Sequence, residues 1–425
     1  MIDEPTTSGG RHAVDVLVVG AGPAGAAAAI TLARAGRAVL VVDRASFPRD
    51  KCCGDGLTTL ALRELEALGL DPSSVPNWCD VDAAWLRSPS GREVCVPLPS
   101  RDDRAAGIFA ATTPRRELDA ALVALARSAG ATVADGHPLT GIRQDADAVE
   151  ADVEGLGRVR SRYVLAADGM WSPTRKLLGL GEPGYLGEWH AFRQYARSVT
   201  GPAARRLLVW FEPDLLPGYA WSFPLPGGRV NIGFGVLRDD PRDGHRTGRE
   251  MNALWADLLR RPHIVAALGE GFELEDRHTA WPIPAGIDRS TLVHGRVLFV
   301  GDAAMATDTM TGEGIGQALL TGRLAADAVL AAGASQPEHA AAVYRRDVHH
   351  HLLADHRMSV ALSRVLAHER GARGAIRLLG ASDWTRRNFA RWMFEDEPRA
   401  IVLTPSRWHR GFLRRPGAYC SPAER

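Results

Sequence analysis

Lysine is almost missing from this chain. Of its 51 lysines and arginines only Lys51 and Lys176 are lysine, so the other 49 are arginine. That skew reads as coding bias before chemistry. A surplus of one charge is missing too: 51 basic against 50 acidic residues leave +1. No bulk field therefore points to nucleic acid or to an anionic membrane. Cysteine is scarce and odd in number, at 52, 53, 79, 95 and 420, with no CxxC. A disulfide framework is not expected, and a reducing cytoplasm is the expected compartment. The opening MIDEPTTSGGRH is acidic and polar, without the apolar stretch of a signal peptide. No apolar run reaches the ~20 residues that a bilayer-crossing helix needs. Residues 14–35 come nearest and are broken by glycine and proline. No Gly-x-Ser-x-Gly elbow argues for hydrolysis. His349, His350, His351 and His356 lack the cysteine or carboxylate set of a metal site, so they read as solvated helix surface and no metal is expected.

What is present is ordinary for a folded chain of 425 residues, 45% hydrophobic and 24% charged. This excludes the disordered, collagen-like and coiled-coil classes, and the length predicts two or three units. The densest signal lies near the N-terminus. Residues 14–19, VDVLVV, read as a buried parallel strand. GAGPAG follows, then a helix ending at Gly36, then AVLVV as a second strand closed by Asp43. Strand, glycine turn, helix and acid stand at the spacings of a βαβ dinucleotide site. Gly20 allows the tight turn, Gly22 lets the backbone approach a pyrophosphate, and Gly25 lets helix pack on strand. Gly22 and Ala24 open a helix whose free N–H groups suit phosphates. Asp43 would accept ribose hydroxyls, with Arg44 beside it, and an acid here fits NAD or FAD.

Later segments choose between them. SRYVLAADG runs a strand into Asp168-Gly169. GRVLFVGDAA runs another into Gly301-Asp302, and then Gly312, Gly314 and Ile315 open a helix. Three such units suit one long flavin gripped from several sides. No second GxGxxG follows another strand, so a dedicated nicotinamide domain is not visible.

The motifs that now stand together are GAGPAG at 20–25, KCCGDG at 51–56, PRRELDAAL at 114–122, ADGMWSPTR at 167–175, PGYAWSFP at 217–224, GDAA at 301–304 and TGEGIGQAL at 311–319. With them the chain resembles the FAD-dependent oxidoreductases of the p-hydroxybenzoate-hydroxylase fold. It is most similar there to the geranylgeranyl reductase family, over residues 14–329. The resemblance implies FAD as cofactor and Cys53 near the reactive edge of the flavin, with Asp55 of the same loop as a second catalytic candidate. It implies that Arg115 contacts the cofactor and that Tyr219, Trp221, Phe223 and Pro224 line the substrate side. NAD(P)H, a ferredoxin or a separate flavin reductase is the expected electron source, and in the latter two cases an electron-donor protein is a partner. There are departures. Met305 stands where the family has glycine, Thr309 where it has proline. Residues 58–60, TTL, lack the proline common in bacterial quinone-side-chain reductases, so their substrate is not carried over.

Read for themselves, Cys52 and Cys53 follow Lys51, and a thiol beside a cation gains thiolate character; the alternative is a small buried pair filling space. Eleven tryptophans could wall a large apolar pocket, or simply pack the core. LLVWFEP, YAWSFP and VNIGFGVL alternate, which predicts a sheet with one wet and one dry face. The basic segment 404–417, with Trp408 and Phe412, either packs on its own domain or touches a membrane peripherally.

The expected fold class is α/β (α+β). A Rossmann-type FAD-binding domain (1–80, 110–182 and 285–345) is interleaved with a β-sheet substrate domain (81–109 and 183–284), and a helical region follows at 346–425. The expected reaction is reduction of a C=C bond in a bulky, apolar, isoprenoid-like substrate. An FAD monooxygenase or epoxidase of a terpenoid alkene is the alternative, a halogenase comes next, and a non-catalytic prenyl-binding protein of this fold is of a different class.

Overall fold

The structure is a computed structural model that describes residues 11–98, 106–240, 244–409 and 416–420. Strand β1 (Arg11–Val19) leads through the glycine turn into helix α1 (Pro23–Arg34) and strand β2 (Val39–Asp43). Helix α1 begins with proline at its first turn, where the absent N–H is not missed. Its alanines let it press close to the sheet, and Ala26 to Ile30 are all buried. Helix α2 (Thr59–Ala67) is capped by Thr58, whose side chain accepts the Ala61 N–H. That cap explains a threonine where proline was the alternative. Strands β3 (Ala83–Arg87) and β4 (Glu93–Pro97) leave for the second sheet, and helix α3 (Arg115–Ser128) returns to the first.

Strands β5 (Thr132–Asp135), β6 (Leu139–Gln144), β7 (Val149–Val153) and β8 (Gly157–Ala166) follow. Next come β9 (Trp189–Arg197), β10 (Leu207–Trp210), β11 (Tyr219–Leu225) and β12 (Arg229–Leu237). Helices α4 (Gly248–Leu258) and α5 (Pro262–Leu268) precede β13 (Glu273–Ile283), β14 (Val293–His294) and β15 (Val297–Phe299). The chain ends in helices α6 (Ile315–Ala332), α7 (Pro337–Val348), α8 (Ala354–Leu366), α9 (Glu369–Leu379) and α10 (Asp383–Met393).

The first sheet has the order β14-β15-β8-β1-β2-β5, with β7 and β6 added beside β8. Its central pairs β15/β8, β8/β1, β1/β2 and β2/β5 are all parallel. Helices pack against it, so β1 and β2 are apolar without alternation. Helix α6 is mostly apolar because it is mostly buried, its Arg323 and Asp327 marking the side that is not. Gly322 on α6 lies so close to α1 that an added Cβ would sit 2.0 Å from the Ala24 carbonyl.

The second sheet runs β13-β9-β12-β11-β10-β3-β4, antiparallel except for the β10/β3 pair. The expectation of one wet face is corrected here: β10 is buried at every position. Leu208 and Trp210 pack with α4 and α5 through Met251, Trp255 and Leu268. Leu207 and Val209 point the other way, toward Ile376 and Leu379 of α9. Helices therefore cover both faces, which alternation within one strand cannot reveal. In the basic segment, Trp408 is 53% exposed, while Phe412 lies outside the described residues. The N-terminal residues 1–10 lie outside them too.

Candidate active site

The glycines of the first turn are fixed by backbone contact. Gly20 has φ +101°, and an added Cβ would lie 2.3 Å from the Ala167 carbonyl. A Cβ on Gly25 would lie 1.8 Å from the Gly20 carbonyl, so helix and strand approach as only glycine permits. The N-cap residues of α1 and α6 are the glycines Gly22 and Gly314, and both N-termini open on one cavity. The first-turn N–H groups of α1 are free for an anionic ligand, whereas the Gly316 N–H of α6 is taken by Glu313.

That cavity has a volume of about 960 Å³, near the top of the ~300–1,000 Å³ range of ligand sites. Gly20, Gly22, Ala24, Asp43, Arg44 and Asp168 line one end. Gly301, Asp302, Gly312, Gly314, Ile315, Arg115 and Cys53 line the middle. Gly25 lies behind the wall. Asp43 accepts the Ala21 and Ala45 N–H groups at 2.8 Å each, which holds the turn at the end of β2. Asp168 accepts Ser172 Oγ and the Thr174 N–H at 2.6 and 2.8 Å, and burial pushes it above its ordinary range. Asp302 is paired with Lys51 at 3.1 Å. The Trp281 indole N–H beside them is buried without a partner. A glycine-walled groove, the uncapped N-terminus of α1 and an orphaned donor fit a bound FAD, with Asp43 toward its ribose and the α1 N-terminus toward its pyrophosphate.

Beyond the groove the wall turns aromatic and apolar. Tyr219, Trp221 and Phe223 alternate on β11, with neighbouring ring centroids 6.0 and 6.2 Å apart. Phe223 carbons lie 3.3 and 3.0 Å from where Cβ atoms on Gly54 and Gly56 would stand, so a side chain on either side of the acid would press on that ring. Pro224 is a correction. It is not in the cavity wall, because a strand turns successive residues to opposite faces. Its carbonyl instead accepts the Thr112 hydroxyl.

Asp55 is a second correction. It is fully buried and outside the cavity wall. The backbone turns there with φ +63°, which sends its carboxylate behind the loop. There it accepts Tyr195 Oη at 2.6 Å, Asn231 Nδ2 at 2.8 Å and the Arg115 N–H at 3.2 Å. Burial pushes it up to about 6 against those bonds. It fastens the loop to the second sheet and does not face the cavity.

Cys53 does line the cavity, but the expected thiolate is corrected. Burial pushes its thiol up to about 11, and the Arg115 guanidinium only partly offsets this. Lys51 cannot help, since it is turned to Asp302 and lies over the Trp281 ring at 5.0 Å. Burial raises Cys52 as well. Arg115 is held by Asp119 through two bonds of 2.8 Å, four residues on along α3.

The two family departures have local reasons. Met305 has φ +55°, a left-handed conformation that glycine adopts without cost. Thr309 accepts the Trp189 indole N–H at 3.3 Å and stays out of the cavity wall, so it is not an expected flavin contact.

Sequence reading missed two features. Leu366, Ala375, Ile376, Phe389 and Trp392 of α8–α10 close the far end of the cavity. A buried cluster ties this region to the TGEGI loop: Arg399 pairs with Asp308 and with Glu395, and Thr58 donates to Glu395 at 3.1 Å. Asp308 in turn accepts the Met310 and Thr311 N–H groups. No spacing joins positions 308, 395 and 399 in advance. Glu313, by contrast, stood in a quoted motif.

The sequence profile of the FAD binding domain family matches residues 13–320. A menaquinone reductase of Mycolicibacterium smegmatis is 36% identical over 336 residues, covering 75% of this chain and 77% of that protein. A digeranylgeranylglycerophospholipid reductase of Methanopyrus kandleri is 31% identical over 327 residues, 75% of this chain and 80% of its own. Among solved structures, a geranylgeranyl bacteriochlorophyll reductase-like protein from Thermoplasma acidophilum aligns with a TM-score of 0.75 at 21% identity, over 93% of this chain and 100% of that one. The halogenase PltM in complex with FAD aligns at 0.67 and 17%, over 97% and 89%. At such identities these two likenesses speak for the fold alone.

Proposed function

We propose that this chain, which belongs to the FAD binding domain family and to its geranylgeranyl reductase branch, reduces a carbon–carbon double bond of a bulky isoprenoid-like substrate. One observation carries the reading: the cavity runs unbroken from the dinucleotide groove to a chamber of apolar side chains. Leu207, Val209 and Phe211 from the second sheet face Ile376, Phe389 and Trp392 from the C-terminal helices. Such a chamber gains from burying a prenyl chain, at ~25 cal/mol per Å² of apolar surface. Bound FAD, once reduced, supplies a hydride equivalent. The glycine turn, Asp43 and the α1 N-terminus hold the cofactor. The aromatic wall of β11 orients the alkene and excludes water.

The relatives above 30% identity carry reductase names, and a halogenase enters only through the fold, so reduction is favoured over epoxidation. The electrons come from a nicotinamide cofactor, a ferredoxin or a separate flavin reductase. All five cysteines are free, which suits a reducing cytoplasm.

An anaerobic single turnover tests the reading. Protein whose FAD has been chemically reduced is mixed with a geranylgeranyl substrate. Reoxidation of the flavin without oxygen is the expected result. Flavin that stays reduced until air is admitted would overturn it.

A further inference from the structure

Among the described residues, five carboxylic acids line the cavity: Asp43, Asp50, Asp168, Asp302 and Glu313. Four have both oxygens engaged. Asp43 takes two backbone N–H groups. Asp50 meets Arg193 with both oxygens at 2.9 Å. Asp168 takes Ser172 and Thr174. Asp302 takes Lys51 and, at 3.3 Å, the Thr307 hydroxyl. Glu313 differs. Its Oε1 accepts the Gly316 N–H at 2.9 Å. The neighbouring Ile315 amide also bears on its carboxylate, but among the described residues no side chain donates to it and none forms an ion pair with it.

Glu313 stands between Gly312 and Gly314, on the loop that opens α6 into the cavity. The Tyr219 hydroxyl fastens this loop by donating to the Thr311 carbonyl. We propose that Glu313 is a catalytic residue, the acid that delivers the proton to the substrate carbon. This deepens the reductase reading and rests on it. The balance is simple. The alkene π bond breaks, one carbon takes the hydride equivalent of the reduced FAD, and the other takes the Glu313 proton. Two C–H bonds form, the carboxylate left behind is reprotonated from solvent, and the electron donor restores the reduced cofactor.

The other acids of this wall are less suited. Cys53 holds its proton up to about 11. Burial also pushes the Tyr219 phenol up, and its O–H is already committed to Thr311. Burial raises Glu313 to about 7 against the pull of the amides that start α6. A donor near the working pH both carries its proton and releases it. The charges facing Glu313 work in both directions. Asp308 raises it and Arg115 lowers it. Glu395 is near enough to feel Glu313, as are Cys53 and Tyr219. Arg399 is taken up by Asp308 and Glu395.

Glu313 also caps α6, so its variant must keep that role. Glu313→Gln does, because the amide carbonyl still accepts the Gly316 N–H. In single-turnover reoxidation by a prenyl alkene, the wild-type rate should fall as pH rises through about 7. Glu313→Gln should be slower by ~10²–10⁴ and lose that limb, with the melting temperature and FAD affinity unchanged. A second readout needs no turnover. The infrared C=O band of a protonated carboxylic acid, recorded on FAD-free protein below neutral pH, should be weaker in Glu313→Gln by one titrating group. If the wild-type product gains two hydrogens and the variant keeps the wild-type rate and pH profile, the Glu313 assignment is overturned and the reductase reading survives. If the wild-type product gains oxygen, the reductase reading falls and takes this assignment with it.

Discussion

Arg399→Met removes a charge from one of the driest places in the molecule. Arg399 is 2% exposed. Its guanidinium reaches Asp308 and Glu395 and donates to Ser359 at 3.1 Å and Thr311 at 3.3 Å. Methionine keeps most of the aliphatic volume, so the substitution isolates the charge. Breaking a buried pair from one side costs ~3–5 kcal/mol. Asp308 keeps the Met310 and Thr311 N–H groups and the Thr311 and Ser359 hydroxyls. These soften the loss, so ~3 kcal/mol is expected.

The pH dependence fixes the cause. Burial pushes Asp308 up, but Arg399 and the Thr311 and Ser359 bonds outweigh it and hold the carboxyl below its ordinary value of 3.8. A depressed folded value gives stability that is present above the unfolded value and lost as pH falls through the folded one. Removing Arg399 takes away the largest of the lowering causes, so the folded value rises and the penalty grows with pH. The gap between wild type and variant should therefore be widest at neutral pH and narrow in mild acid. Urea unfolding of FAD-saturated protein at the two pH values measures it. Adding Asp308→Asn should recover more than half of the loss. A loss below ~1 kcal/mol at neutral pH, or a gap that ignores pH, would refute the reasoning.

Asp43→Ala should weaken FAD binding by ~1–3 kcal/mol, because a charged acceptor and the order of its turn are lost together; a fluorescence titration with unchanged Kd would contradict this. Cys53 should resist iodoacetamide at neutral pH, since its thiol is pushed up to about 11, and mass spectrometry of the CCGD peptide reads the outcome. Ala375→Trp fills the far end of the cavity. It should cut kcat/KM for long prenyl chains while sparing short ones, and an equal loss across chain lengths would remove α9 from the substrate chamber.

The dinucleotide half of the molecule was legible because its demands are local. Gly20, Gly22 and Asp43 stand at spacings that backbone geometry dictates within one βαβ unit. The CGDG loop was only half legible. Cys53 and Asp55 share a loop, but a left-handed turn at Asp55 sends its carboxylate behind the wall, and residue type alone does not announce that turn. Tyr219, Trp221 and Phe223 followed the strand period, while Pro224 was grouped with them against it. Helices α4 and α5 against α9 and α10 left the inner strands β10–β12 of the second sheet without a wet face, and nothing within a strand reports what will cover it. Arg399 reaches Asp308 across 91 positions of chain. Such a pair is a property of the fold, with no periodicity to betray it.

The central claim is that this cavity adds hydrogen to an alkene. Its most direct test is the mass of the product that the reconstituted protein makes from a geranylgeranyl substrate in the presence of air and a reducing donor. The account predicts a product heavier by two hydrogens for each double bond reduced. A product heavier by one oxygen would contradict it and make the protein an epoxidase.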